Sequence, residues 1–82
     1  MDGNADPLLT TLAQVVRERR RALGLTQEEL AHRAGLSMRY VSLLETCKHQ
    51  PTLATIRGLS EGLEMSMTDL IGAVEARSRQ TP

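Results

Sequence analysis

The side chains able to take part in covalent or metal chemistry are few, and two of them nearly touch in sequence: Cys47 and His49 are one residue apart, with His32 further upstream. A cysteine beside a histidine can act as nucleophile and base, but such a pair needs a third group to orient the imidazole. The polar stretch from Thr46 to Pro51 that carries both residues supplies none. Taken with His32 they make three possible metal ligands, at spacings that match no common zinc pattern. No catalytic residue, metal or cofactor is therefore expected. The remaining chemistry is non-covalent. Arg39 carries a planar fork of donors that can bridge two acceptors at once, such as O6 and N7 of a guanine. Whether it can be used in that way depends on the elements that hold it.

Those elements must be helices. The 82 residues include one Tyr and no Phe or Trp, so the core is left to Leu, Ile, Val, Ala and Met, a palette suited to packed helices rather than strands. The length is that of one domain, near the size at which a single apolar core is only marginally sufficient, so help from dimerisation is natural. A single cysteine cannot form an internal disulfide, and neither a bilayer-spanning apolar run nor a signal-peptide pattern is present, so a cytoplasmic, nucleoid-associated location is expected.

Start and stop signals divide the chain into five helices. Residues 1–6 read as a disordered segment, followed by a domain over 7–75 and a frayed tail over 76–82. Asp6 caps a first helix with Pro7 at its first position, and Leu8, Leu12, Val15, Val16 and Leu23 form its apolar stripe up to Gly24. Arg19 falls inside that stripe and is expected to snorkel out at the domain edge. Thr26 and Glu29 make a capping box that starts helix two, which ends at Gly35. Ser37 caps helix three, whose inward residues are Val41 and Leu44. Thr52 caps a fourth helix carrying Leu53, Ile56, Leu59 and Leu63, and Ser66 with Asp69 opens a fifth with Met67, Leu70, Ile71 and Val74 on one face. Two short helices joined by about three residues including a glycine fit a helix-turn-helix.

Ten basic and ten acidic residues give zero net charge, but they are unevenly placed. Between residues 10 and 57 eight cations face four carboxylates, whereas residues 58–76 carry four carboxylates and no cation. A basic front and an acidic rear can orient a neutral molecule on a polyanion.

Several short motifs fall in register: the Leu25-Thr-Gln27 start, Leu30-Ala31 in helix two, the Gly35-Leu-Ser37 turn, Tyr40-Val-Ser42 and Glu45 in helix three, Pro51-Thr-Leu53 with Thr55-Ile56, and Asp69-Leu-Ile71. In these the chain resembles the phage repressor and Cro superfamily, the Xre family, over residues 8–72. The resemblance implies an all-α, five-helix lambda-repressor-like DNA-binding domain whose helix-turn-helix is formed by helices two and three. It also implies a transcriptional regulator. Cys47 departs from the family pattern, which commonly has glycine there because the backbone turns left-handed.

With Val41 and Leu44 inward, Arg39, Ser42, Leu43 and Thr46 project outward, and Met38 stands at the exposed first turn. In helix-turn-helix proteins the N-terminal half of this face enters the major groove. Arg39 is then the base reader, with Met38 and Leu43 limited to apolar contact and Ser42 beside them. Thr26, Ser37 and Lys48 are candidate phosphate partners. The resemblance adds Gln27 and Tyr40, at positions that touch phosphates or brace the reading side chains, and an ion pair between Arg20 and Glu45 that ties helix one to helix three. The expected partners are a double-stranded DNA operator, near-palindromic, and a second copy of the chain, with Met65, Met67, Leu70, Ile71 and Val74 at the dimer interface. Neither a membrane nor a small-molecule ligand is expected. Restriction-modification controller proteins are similar in size and architecture. An antitoxin-type module binding both operator DNA and a protein toxin is the alternative, although little chain follows Val74 to hold a toxin.

Overall fold

The computed structural model describes residues 7–80, so the expected disorder of residues 1–6, the Asp6 cap and the last two residues lie outside it. Five helices follow one another: α1 (Pro7–Ala22), α2 (Gln27–Ala34), α3 (Met38–Glu45), α4 (Leu53–Gly62) and α5 (Met67–Gln80). No strand occurs among the described residues. The helix-turn-helix pair α2 and α3 is packed from behind, with α4 against α2 and α1 against both α3 and α5.

The core where these helices meet is wholly aliphatic, with Val16, Leu30, Val41, Leu44, Leu59, Leu63 and Leu70 fully buried. Close approach of α4 to α2 depends on glycine. A Cβ at Gly58 would sit 2.5 Å from the Ala34 carbonyl oxygen, so any side chain there would push α4 away from the end of α2.

Four of the helices end in the same way. After α1, α2, α3 and α4 the chain makes paired backbone bonds back into the last turn, through a residue in the left-handed region: Gly24, Gly35, Cys47 and Glu64. For α3 the bonds run from the Cys47 N–H to the Leu44 carbonyl at 3.1 Å and from the Lys48 N–H to the Leu43 carbonyl at 2.8 Å. Cys47 therefore keeps the geometry of the expected glycine, at φ 62°, rather than forcing a different loop.

Several expectations need correction. Leu8 does not join the buried stripe of α1; Leu9 packs inward instead, while Leu8 lines a cleft beside the first turn of the helix. Arg19 does not simply escape to solvent. Its Nε donates to the Leu63 carbonyl at 3.0 Å and its Nη2 to that of Glu64 at 3.4 Å, serving carbonyls that the end of α4 leaves open. The tail expected to fray from residue 76 is helical to Gln80. Nothing in that stretch breaks a helix, and Arg77 pairs with Glu18 of α1 at 2.6 Å while Arg79 pairs with Glu75 at 3.3 Å. Leu70 and Val74 are buried inside the subunit under α1, so they underlie any interface rather than form it. Of the five residues expected there, Ile71 is the one fully at the surface, and Met65 and Met67 are half-buried.

Candidate nucleic-acid interface

The turn between α2 and α3 is built from local hydrogen bonds. Thr26 Oγ1 accepts from the Glu29 N–H at 3.0 Å, and Glu29 Oε1 accepts from the Thr26 N–H at 2.8 Å, completing the capping box. The backbone bond from Thr26, then its hydroxyl, hold the Glu29 carboxyl below the usual carboxylate range. Gly35, at φ 73°, ends α2, and Ser37 Oγ accepts from the Tyr40 N–H at 3.0 Å to start α3. Thr26 and Ser37 are both exposed, and the Ser37 hydroxyl can still donate outward.

Along α3, Val41, Leu44 and Glu45 are buried, while Met38 and Arg39 stand in solvent on the first turn. Ser42 and Leu43 are half-buried on the same outward side, and Thr46 is exposed at the end of the helix. The Thr46 hydroxyl is turned back, donating to the Ser42 carbonyl at 2.9 Å. Tyr40 leans against the core on one side. On the other its ring stacks on that of His49, with centroids 5.1 Å apart and planes 22° from parallel. Lys48 is exposed in the intervening loop.

The reading helix is held at its last residue. Arg20 grips the Glu45 carboxylate with two bonds, Nε to Oε2 at 2.7 Å and Nη2 to Oε1 at 3.1 Å, and both side chains are buried. The third Arg20 donor reaches the Leu25 carbonyl at 2.8 Å, so the guanidinium also pins the loop before α2. The resemblance implied this ion pair. Sequence reasoning missed its extension: Gln27 Nε2 donates to Glu45 Oε1 at 3.0 Å, and Arg17 Nη1 donates to the Glu45 carbonyl at 3.3 Å. Gln27 thus stands at the anchor behind the helix, bracing it. The signal available in the sequence was the recurrence of Arg17, Arg20 and Gln27 around one buried carboxylate, which becomes visible only when α1 and α2 are placed side by side.

These contacts sort the ten cations. Arg17, Arg19, Arg20, Arg33, Arg77 and Arg79 are engaged by carboxylates or carbonyls. Among the described residues Arg21, Arg39, Lys48 and Arg57 make no such bond, and all four are exposed. Two of the four, Arg39 and Lys48, flank the same short helix. The imidazole of His49 lies on Tyr40, and no group of three potential ligands capable of holding a metal ion occurs among the described residues.

A model of the family described as helix-turn-helix matches residues 16–70. An uncharacterised HTH-type transcriptional regulator of Sinorhizobium fredii, y4dJ, is 42% identical over 52 residues, which cover 63% of this chain and 68% of that protein. A second such regulator, from Methanothermobacter thermautotrophicus, is 39% identical over 49 residues, covering 60% and 71%. Among solved structures, the restriction-modification controller protein C.AhdI from Aeromonas hydrophila superposes with a TM-score of 0.73 at 35% identity, over 76% of this chain and 94% of that one. The wild-type controller protein C.Esp1396I superposes with a TM-score of 0.82 at 25% identity, over 92% and 96%.

Proposed function

The chain belongs to the helix-turn-helix family of DNA-binding transcriptional regulators, and from that premise we propose that it acts as a homodimer on a near-palindromic operator, in the manner of a restriction-modification controller. The observation that carries the reading is the division of its cations: Arg39 and Lys48 are left unpaired beside a reading helix whose other end is clamped by buried charge. Arg39 reads a base, with guanine the natural partner of its fork. Met38 and Leu43 supply apolar contact and Ser42 a hydroxyl, while Thr26, Ser37 and Lys48 hold phosphates. Gln27 acts from behind, through Glu45.

Exposed apolar residues support a dimer face. Leu8 is 55% exposed, Leu53 73% and Ile71 46%. Leu8 and Ile71 border a cleft of about 380 Å³ between α1 and α5, and Met67, one turn from Ile71, lies with Leu53 beside α4. We read these apolar residues as the face that two copies cover across a two-fold axis. Two reading helices would then enter major grooves about one helical turn apart, roughly 34 Å.

On the operator identified by footprinting the DNA that flanks its own gene, Arg39→Ala is expected to weaken specific binding by roughly 1–3 kcal/mol while sparing mixed-sequence DNA. Equal losses on both would remove Arg39 from base reading.

A further inference from the structure

We propose that His49 is a further DNA-contact residue, a phosphate donor held beside the reading helix by the ring of Tyr40. The inference rests on the DNA-binding reading above and assigns to that surface a residue that belongs neither to α3 nor to the helix-turn-helix.

The loop after α3 is not a loose connection. Thr46 folds its hydroxyl onto the Ser42 carbonyl, and the N–H groups of Cys47 and Lys48 both bond back into the last turn of α3. The left-handed backbone of Cys47 then reverses the chain, so that His49 arrives over Tyr40, on the helix it has just left. The stack at 5.1 Å fixes the imidazole plane while leaving His49 exposed, beside the unpaired Lys48. Ordering a side chain before its ligand arrives reduces the entropy lost on binding, so a pre-stacked imidazole contributes more than a free one would. An imidazole presents at least one N–H in either protonation state, which suits it to a phosphate oxygen. Tyr40 in this arrangement works through its ring face and not its hydroxyl: it positions His49, as the core positions Tyr40.

A phosphate contact does not depend on sequence, so the test needs no operator. Binding of the full chain to a mixed-sequence 24-base-pair duplex at low salt is measured for wild type, His49→Ala, Tyr40→Phe, Tyr40→Ala, the Tyr40→Ala/His49→Ala double variant, and Lys48→Ala as a reference contact. Circular dichroism confirms the fold of each. His49→Ala is expected to weaken binding about three- to tenfold. Tyr40→Phe should match wild type, and the double variant should be no weaker than Tyr40→Ala alone, because the platform and the donor fail together. His49→Ala within twofold of wild type, while Lys48→Ala loses affinity, would overturn the role of His49 and leave the DNA-binding reading intact. A Tyr40→Phe variant as weak as Tyr40→Ala would overturn the platform, since the hydroxyl would then be the active group. Failure of wild type to bind any duplex would overturn both readings.

Discussion

The reading helix α3 and the last helix α5 each bury one face and show another to solvent, yet they use their charged side chains in opposite ways. On α3 the one carboxylate, Glu45, is buried at the final residue and held by Arg20 and Gln27, while Arg39 at the other end has no partner among the described residues. On α5 the arginines are paired, Arg77 with Glu18 and Arg79 with Glu75, and the exposed feature is apolar, Ile71 with the half-buried Met67 beside it. A helix that must meet a polyanion is fixed from behind so that its outward charge stays free. A helix whose arginines are neutralised locally is left with an apolar side chain, Ile71, as its exposed feature. The zero net charge of the chain conceals this division, because it counts engaged and free cations alike.

The most severe test of the contrast is to remove the anchor. Glu45→Ala leaves Arg20 buried without its counter-charge and is expected to cost roughly 3–5 kcal/mol in urea denaturation. A loss under 1 kcal/mol would mean that packing of Val41 and Leu44 alone fixes α3. On α5, adjacent residues separate folding from assembly. Leu70→Glu puts an unpaired charge into the core and should prevent folding at ordinary temperature. Ile71→Glu, on the exposed side, should change monomer stability by no more than about 0.5 kcal/mol while giving monomers in analytical ultracentrifugation. An unchanged dimer would move the interface away from the α1 and α5 stripe. The smallest effect concerns Cys47 and Glu64, the two non-glycine residues in the left-handed region among the described residues. Cys47→Gly is expected to raise stability by about 1 kcal/mol, because the side chain strains a backbone that glycine adopts freely. Glu64→Gly should gain less, since it also removes the 3.0 Å pair with Arg33. Equal gains would show that this exposed pair contributes nothing.

Much of this was legible in the sequence, for reasons that can be named. Thr26, Ser37, Thr52 and Ser66 announce helix starts through side-chain bonds to residues three positions on, which are local and need no tertiary information. Gly24 and Gly35 mark the ends of α1 and α2 for the same reason. The exposed first turn of α3 also follows from local geometry, since Val41 and Leu44 fix which way the helix faces. What escaped depends on neighbours that periodicity does not see. Leu70 and Ile71 share one apolar face on a wheel, and only the position of α1 decides that the first is buried and the second is not. Arg19 and Gln27 look like surface residues until α4 and α3 arrive to accept their hydrogen bonds. The last turn of α5 gains from Glu18, a partner far away in sequence.

The wholly aliphatic core has a practical consequence. With no Trp and no Phe in the chain, Tyr40 is its only aromatic benzene-type ring, and it stands on the reading helix in contact with His49. Every photon the folded protein emits on near-ultraviolet excitation therefore originates at one known place, with nothing from the interior to subtract. The molecule is its own site-specific fluorophore, and a titration with DNA followed by tyrosine emission would report on that surface without a label.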